Sequence, residues 1–253
     1  MRTLSRALSR QDSSGKKLPK VYRALPALRS ANLTVIAGAP GSGKTILTAN
    51  LIKQMGLPTL YVSPDSDEHT MGSRLLALYT GETTDVTEAW LDEWPENCAR
   101  KLHESCDFIR WIFSGADLDS LWLEVEAWEE MWGDFPRVIV VDVLLSLGDD
   151  TGDSSSVREI VKALVYLARL TNAAVLAVSH TSESHQQACP PPMSAVMYKT
   201  NQLPAMIWTI QRGPYEQMLV AVVKYRNGPS DPSGKTYTAL PCDYARSLVT
   251  EKT

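Results

Sequence analysis

The sequence has few of the residues that build disulfide frameworks, zinc sites or membrane spans. Its 253 residues include four cysteines and four histidines, with no Cys-x-x-Cys pair and no zinc-ligand spacing. The cysteines are therefore expected to be reduced thiols, as in a cytosolic protein. No apolar run approaches the roughly 18 residues that a spanning helix needs, and no signal-peptide core occurs. These absences predict a cytoplasmic protein with no membrane partner.

The chain also lacks an excess of positive charge. Its net charge of −4 excludes nucleic-acid binding driven by overall charge, so any such contact must use local patches. The first residues are locally basic, with Arg2, Arg6 and Arg10 at helical spacing. We expect residues 1–17 to form a flexible basic arm and 18–253 a single domain. A helical arm that docks on a neighbouring subunit or on DNA would also fit this pattern, as would a transit peptide.

One stretch fits a phosphate-binding pattern at every fixed position. The pattern G-x-x-x-x-G-K-[ST] is matched by Gly38, Ala39, Pro40, Gly41, Ser42, Gly43, Lys44 and Thr45. Its glycines let successive backbone N–H groups point at phosphate oxygens, and the following helix adds the positive end of its dipole. The Lys44 side chain can reach the β- and γ-phosphates, and the Thr45 hydroxyl can ligate Mg²⁺. The stretch therefore predicts a site for a nucleoside triphosphate and Mg²⁺.

Apolar runs alternate with helical patterns along the rest of the chain. This alternation predicts an α/β fold in which a mostly parallel sheet is flanked by helices, with a C-terminal antiparallel hairpin over 206–224. The stretch Arg137–Asp142 contains a continuous apolar run over 138–141 that ends in an aspartate. Such a strand delivers a carboxylate to the carboxyl edge of the sheet, where ligands bind in α/β folds. Asp142 is therefore predicted to hold Mg²⁺ through water.

The order of the motifs resembles one family over about residues 25 to 240. The motifs are the phosphate loop, Ser63-Pro-Asp65, Arg74-Leu-Leu-Ala-Leu78, Thr80-Gly81, Val138–Asp142, Val178-Ser-His180 and Lys224-Tyr-Arg226-Asn-Gly-Pro229. Together they resemble the RecA-like ATPase core of DnaB-type, ring-forming replicative helicases. The resemblance implies ATP hydrolysis by a homo-oligomeric ring, expected to be a hexamer, that acts on single-stranded or forked DNA.

The resemblance also implies roles for particular residues. Asp65 is expected to orient the attacking water, although the family usually has glutamate there, and Asp67 and Glu68 are rivals for the role. His180 is the implied sensor of the γ-phosphate.

Two further pairs are implied by the same resemblance. Lys224 and Arg226 are implied to project into the nucleotide site of the next subunit, with Arg226 as an arginine finger. Arg212 and Tyr237 fall where some family members sandwich the base.

Two features depart from the family pattern. Only about 30 residues precede the core, which is typical of a stand-alone motor of the kind found in phage genomes; its setting would be a bacterial or phage-infected cell. The resemblance implies that the loop after Asp142 and the loop over 181–204 line a central channel for DNA. The first of these loops carries acidic residues, and the second offers little positive charge beyond Lys199 and His185. The acidic residues, Asp149, Asp150 and Asp153, keep a metal-dependent DNA nuclease open. A RecA- or RadA-like recombination ATPase and a non-motor assembly protein are also compatible with these features.

Overall fold

A computed structural model describes residues 15–113, 117–148, 154–182 and 189–251. The strands within these ranges are β1 Leu33–Gly38, β2 Thr59–Val62, β3 Ile109–Ile112, β4 Val138–Val141, β5 Ala174–His180, β6 Met206–Gly213, β7 Gln217–Tyr225, β8 Tyr237–Asp243 and β9 Leu248–Val249. The α-helices in the same ranges are α1 Lys44–Met55, α2 Glu68–Thr80, α3 Thr84–Glu93, α4 Pro95–Cys106, α5 Leu118–Trp132 and α6 Ser154–Thr171.

All nine of these strands join one sheet, in the order β3-β2-β4-β5-β1-β6-β7-β8-β9. In this sheet order, each of the six strands from β3 to β6 runs parallel to its neighbours among the six. From β6 to β9, each strand is antiparallel to the next. The mostly parallel sheet and the C-terminal hairpin predicted from the sequence are confirmed. The antiparallel part extends beyond the hairpin, because β8 and β9 continue the pairing from β7.

The sheet buries both of its faces, as its apolar strands predict. Successive residues alternate between two apolar layers: Ile36 and Tyr61 lie in one, while Val35 and Leu60 lie in the other. The first layer is covered by α1 and α2, and the second by α5 and α6. No helix within the described ranges is long and apolar enough to cross a membrane.

Two helices, α3 and α4, occupy a polar region for which the sequence pattern predicts neither a helix nor a strand. Thr87 is the buried residue of α3, and Cys98 and Cys106 are those of α4. Such polar helices carry little of the apolar periodicity from which an amphipathic helix is recognised. Pro95 begins α4, a position where its missing N–H costs nothing.

The segment before β1 packs along the antiparallel side of the sheet. Gly15 and Lys16 exchange backbone hydrogen bonds with Ser30, and the Tyr22 hydroxyl lies 3.4 Å from the Val249 carbonyl. Residues 15–17, which the sequence analysis assigned to the basic arm, thus take part in this pairing; residues 1–14 lie outside the described part.

Candidate nucleotide site

Four neighbouring parallel strands bring the predicted site residues to one edge of the sheet. The phosphate loop follows β1, and Asp142 follows β4 directly. His180 ends β5 and is paired with Gly38 in the register of β1 and β5. Asp65 lies three residues beyond the end of β2. Because parallel strands end at the same edge, the order of elements itself assembles this site.

Close approach to other strands requires glycine at two positions of the phosphate loop. A Cβ atom on Gly38 would lie 2.6 Å from the Ser42 hydroxyl and 2.8 Å from the Ile210 carbonyl oxygen. Gly43 has a φ of +93°, in the left-handed region, and a Cβ there would lie 2.7 Å from the Met218 methyl. The motif glycines therefore let the loop fold tightly against β6 and β7.

The Lys44 side chain lies inside the loop. Its ammonium donates to the carbonyl oxygens of Gly38, at 3.0 Å, and of Ala39, at 2.8 Å. The residue is only 7% exposed, and this burial lowers the pKa of Lys44 to about 8, partly opposed by the charge of Asp142. A buried ammonium held by neutral carbonyls gains from a nearby anion, so this loop is electrostatically suited to a phosphate.

Asp142 is buried, at 3% exposure, and is surrounded by donors and positive charge. The Tyr61 hydroxyl donates to its Oδ2 atom at 3.0 Å. Burial raises the pKa of Asp142, while the Thr45 and Tyr61 hydroxyls and the charges of Lys44 and Arg74 oppose the rise. Sequence reasoning missed Tyr61 and gave Arg74 no role at the site.

His180 and Asp65 lie within electrostatic reach of each other. Burial lowers the pKa of His180, the charge of Lys44 lowers it further, and that of Asp65 opposes both. Asp65 is exposed, and its Oδ1 is 3.5 Å from the Ser146 hydroxyl. Its rival Asp67 instead caps α2, accepting from the Thr70 N–H at 2.7 Å and the Thr70 hydroxyl at 2.8 Å. That capping role leaves Asp65 the freer carboxylate of the two.

The residues at this edge fit a magnesium-bound nucleotide. Several buried polar side-chain atoms in the described ranges have no hydrogen-bond partner, and three of them lie at this edge: Ser42 Oγ, Ser63 Oγ and His180 Nδ1. Buried polar atoms without partners are costly, and phosphate oxygens or water would satisfy them. Thr45 and Asp142 supply the hard oxygen ligands that Mg²⁺ prefers. The acidic loop over 149–153 lies outside the residues that the structure describes. Among the described residues, no cluster of three potential metal ligands occurs.

A cavity of about 390 Å³ opens beside the phosphate loop. It is bounded by the start of α1, by α2 and by the turn between β8 and β9, which contributes Tyr244 and Ser247. The Tyr244 ring lies 4.1 Å from the Arg212 guanidinium carbon, a cation–π distance. The predicted partner of Arg212, Tyr237, lies elsewhere and lines a second cavity with residues of the segment before β1. The structure thus places Tyr244, rather than Tyr237, beside the loop.

Lys224 and Arg226 are remote from the phosphate loop of their own chain. Lys224 is paired with Ile207 on β6, whereas Gly38 of the phosphate loop is paired with Ile210. These two positions on β6 are three residues apart, which is roughly 10 Å along the strand. Arg226 is two residues farther from that edge. Both side chains bind backbone carbonyls instead: Lys224 donates to those of residues 201 and 202, and Arg226 to those of 202 and 203, at 3.0 and 2.9 Å.

A glycine-rich phosphate cradle between a strand and a helix, with a buried carboxylate directly after another strand of the same parallel sheet, defines a P-loop ATPase. Comparison with known proteins agrees with this class. Residues 5–186 match the family described as an AAA domain, and the chain belongs to that family.

Two phage proteins are similar along most of the chain. The Gene 65 protein of Mycobacterium phage L5 is 29% identical over 257 residues, covering 95% of this chain and 95% of its own. The Gene 65 protein of Mycobacterium phage D29 is 29% identical over 224 residues, covering 82% of this chain and 94% of its own.

Two solved structures share the fold. The ATPase domain of G40P superposes with a TM-score of 0.77 at 16% identity, covering 99% of this chain and 96% of that domain. A DnaB-like replicative helicase, solved in a study of its interactions with primase, superposes with a TM-score of 0.78 at 17% identity. That match covers 96% of this chain and 64% of the helicase. The RecA-like fold of DnaB-type ATPase cores, predicted from the motif order, is confirmed.

Proposed function

We propose that this protein is an ATP-driven DNA translocase of the DnaB-like helicase kind, acting in replication or recombination. It would work in the cytoplasm of an infected cell as a homo-oligomeric ring, expected to be a hexamer, on single-stranded or forked DNA. The observation that carries the proposal is the position of Arg226, an exposed cation at the sheet edge opposite its own phosphate loop. The motif order and the shared fold support the same assignment.

Each residue at the nucleotide site has a role in this proposal. Lys44 would leave the carbonyls of Gly38 and Ala39 to bind the β- and γ-phosphates. Mg²⁺, when bound by Thr45 and through water by Asp142, would neutralise charge on the phosphates. Asp65 would orient the attacking water. His180 would contact the γ-phosphate through its unpartnered Nδ1 atom, since that atom is buried beside Lys44.

The arginine finger must then come from another subunit. Arg226 cannot reach the phosphates of its own chain, because the sheet separates the two. A neighbour's Arg226 would complete the charge stabilisation that Lys44 begins, with Lys224 beside it. This geometry makes turnover dependent on assembly.

The same finger touches the segment that the sequence analysis expects near DNA. Arg226 donates to the carbonyls of Gln202 and Leu203, at the end of the loop over 181–204. If Arg226 turns toward a neighbour's phosphate, it must release these carbonyls. Nucleotide state in one subunit would thereby alter the position of the DNA loop in the next, and DNA would in turn affect hydrolysis.

We expect single-stranded DNA to stimulate ATP hydrolysis several-fold. The steady-state rate is measured with and without an oligothymidylate, with the Lys44→Ala variant as the background control. An unchanged rate, combined with a monomer in solution when a non-hydrolysable ATP analogue is present, would reject the translocase. Mg²⁺-dependent DNA cleavage that survives Lys44→Ala would favour the nuclease. Electron microscopy on DNA separates a closed ring from a RecA-like filament.

Nucleotide affinity should depend on Tyr244 and not on Tyr237. We expect the nucleotide base to stack on Tyr244, because this ring borders the cavity beside the loop and is packed against the Arg212 guanidinium. Removing a stacking aromatic costs about 1–3 kcal/mol per base, so Tyr244→Ala should weaken ADP binding roughly tenfold. Tyr237→Ala is the matched control. Equal loss in both variants would contradict the assignment, as would loss in Tyr237→Ala alone.

A further inference from the structure

The hydroxyl of Tyr61 is a group of the nucleotide site with no assigned role. Tyr61 is fully buried on β2, and its hydroxyl donates to Asp142 Oδ2 at 3.0 Å. A tyrosine in this apolar layer could have been phenylalanine if packing were its sole purpose. Its polar atom instead meets the carboxylate predicted to serve the metal.

The register of the sheet explains how this contact forms. Tyr61 is paired with Val140 on β4, and both lie in the apolar layer covered by α1 and α2. Asp142 follows two residues after Val140 and so extends toward the same face. The long phenol ring bridges that two-residue offset, which a shorter side chain would not.

The ring of Tyr61 is itself held firmly. On its other side Tyr61 is paired with Trp111 of β3, and the ring centroids lie 4.3 Å apart. Trp111 in turn stacks on Phe113 at 5.9 Å. A packed ring has few rotamers available, so the hydroxyl stays at one position beside Asp142.

A fixed donor on one carboxylate oxygen orients the carboxylate. It restricts rotation of the group, so that Oδ1 keeps one direction. An Asp142 held in this way can accept hydrogen bonds from the water shell of a metal.

We propose that Tyr61 is a positioning residue for magnesium–nucleotide binding, acting through Asp142. The proposal rests on the nucleotide site and on neither DNA nor ring assembly. Tyr61 contacts no nucleotide itself: it holds the carboxylate that meets the hydrated Mg²⁺, as outer-shell partners do at other metal sites.

The test is Tyr61→Phe, which removes one oxygen and keeps the ring. Binding of a fluorescent ADP to the full chain is measured across a Mg²⁺ titration and again in EDTA. Hydrogen bonds to charged groups are strong enough that the half-saturating Mg²⁺ concentration should rise roughly tenfold. Affinity in EDTA should stay unchanged, because Asp142 acts through the metal. Tyr22→Phe is the control, since it removes a buried hydroxyl that lies against Val249.

Each outcome decides the question. A Tyr61→Phe protein with the wild-type Mg²⁺ dependence would overturn the proposal, even if its melting temperature fell. If Tyr61→Phe does not fold, 3-fluorotyrosine is incorporated at position 61, which retains the hydroxyl as a stronger donor. The half-saturating Mg²⁺ concentration should then fall. A concentration that is unchanged or higher would overturn the proposal. In an Asp142→Asn background, Tyr61→Phe should add no further shift, and an additive effect would also overturn it. A wild-type chain whose ADP binding ignores Mg²⁺ would reject the metal site as well.

Discussion

Lys44→Ala should abolish ATP hydrolysis, with a loss of at least about a thousandfold in turnover. Removing one preorganised donor to developing negative charge typically costs 10²–10³-fold, and an ammonium is a stronger donor than a neutral group. Lys44 is also the buried cation of the phosphate loop, so ground-state nucleotide binding should weaken as well. The measurement is phosphate release at saturating ATP, accompanied by ADP affinity.

Lys53→Ala is the matched control for this variant. Lys53 lies on the same helix, α1, but its ammonium donates to the Leu78 carbonyl and lies over the Tyr79 ring. Its removal should leave turnover close to that of the wild type. Turnover retained by Lys44→Ala would show that the phosphate site is misassigned, whereas equal loss in both variants would point to a general defect in α1.

Arg226→Ala should lower turnover by a comparable amount while leaving nucleotide affinity nearly intact. Arginine fingers contribute roughly 10³–10⁵-fold in rate in GTPases, and their charge acts mainly on the transition state. The nucleotide site within the chain is built without Arg226, so ADP should bind with almost unchanged affinity. Turnover and ADP affinity are measured on the same preparation, with Arg100→Ala as an exposed-arginine control on α4.

A structural explanation of the turnover lost in Arg226→Ala can be distinguished from loss of the arginine finger. Because Arg226 also holds the carbonyls of Gln202 and Leu203, its removal could loosen that loop. Arg226→Lys keeps a cation for these carbonyls but loses the planar fork that matches phosphate geometry. Turnover restored by Arg226→Lys would therefore assign the effect to the loop, and turnover that stays low would assign it to the finger.

The parts of the site predicted from sequence are those fixed by local backbone geometry. The glycine pattern of residues 38–45 fits one loop conformation, and Asp142 and His180 each end an apolar run that can only be a buried strand. Parallel strands then bring these ends together without further information. For the same reason the fold class was predictable, since alternating strands and helices imply a parallel sheet.

The parts that were missed depend on contacts between distant segments. Tyr61 is recognisable as a site residue only when the pairing of β2 with β4 is known, since 81 residues separate it from Asp142. Tyr244 likewise reaches the loop through the turn after β8, and no spacing in the sequence distinguishes it from Tyr237. Helices α3 and α4 were missed for another reason, because their few buried residues leave the apolar period too weak to read.

Mixing two inactive variants is the most direct test of a nucleotide site shared between subunits. Lys44→Ala lacks the phosphate loop's cation but carries an intact finger, and Arg226→Ala has the reverse defect. In randomly mixed rings, about a quarter of the interfaces would pair an intact loop with an intact finger. We predict that ATP hydrolysis, absent from each variant alone, returns in the mixture to about that fraction of the wild-type rate. A mixture that forms joint oligomers and stays inactive would contradict the shared site.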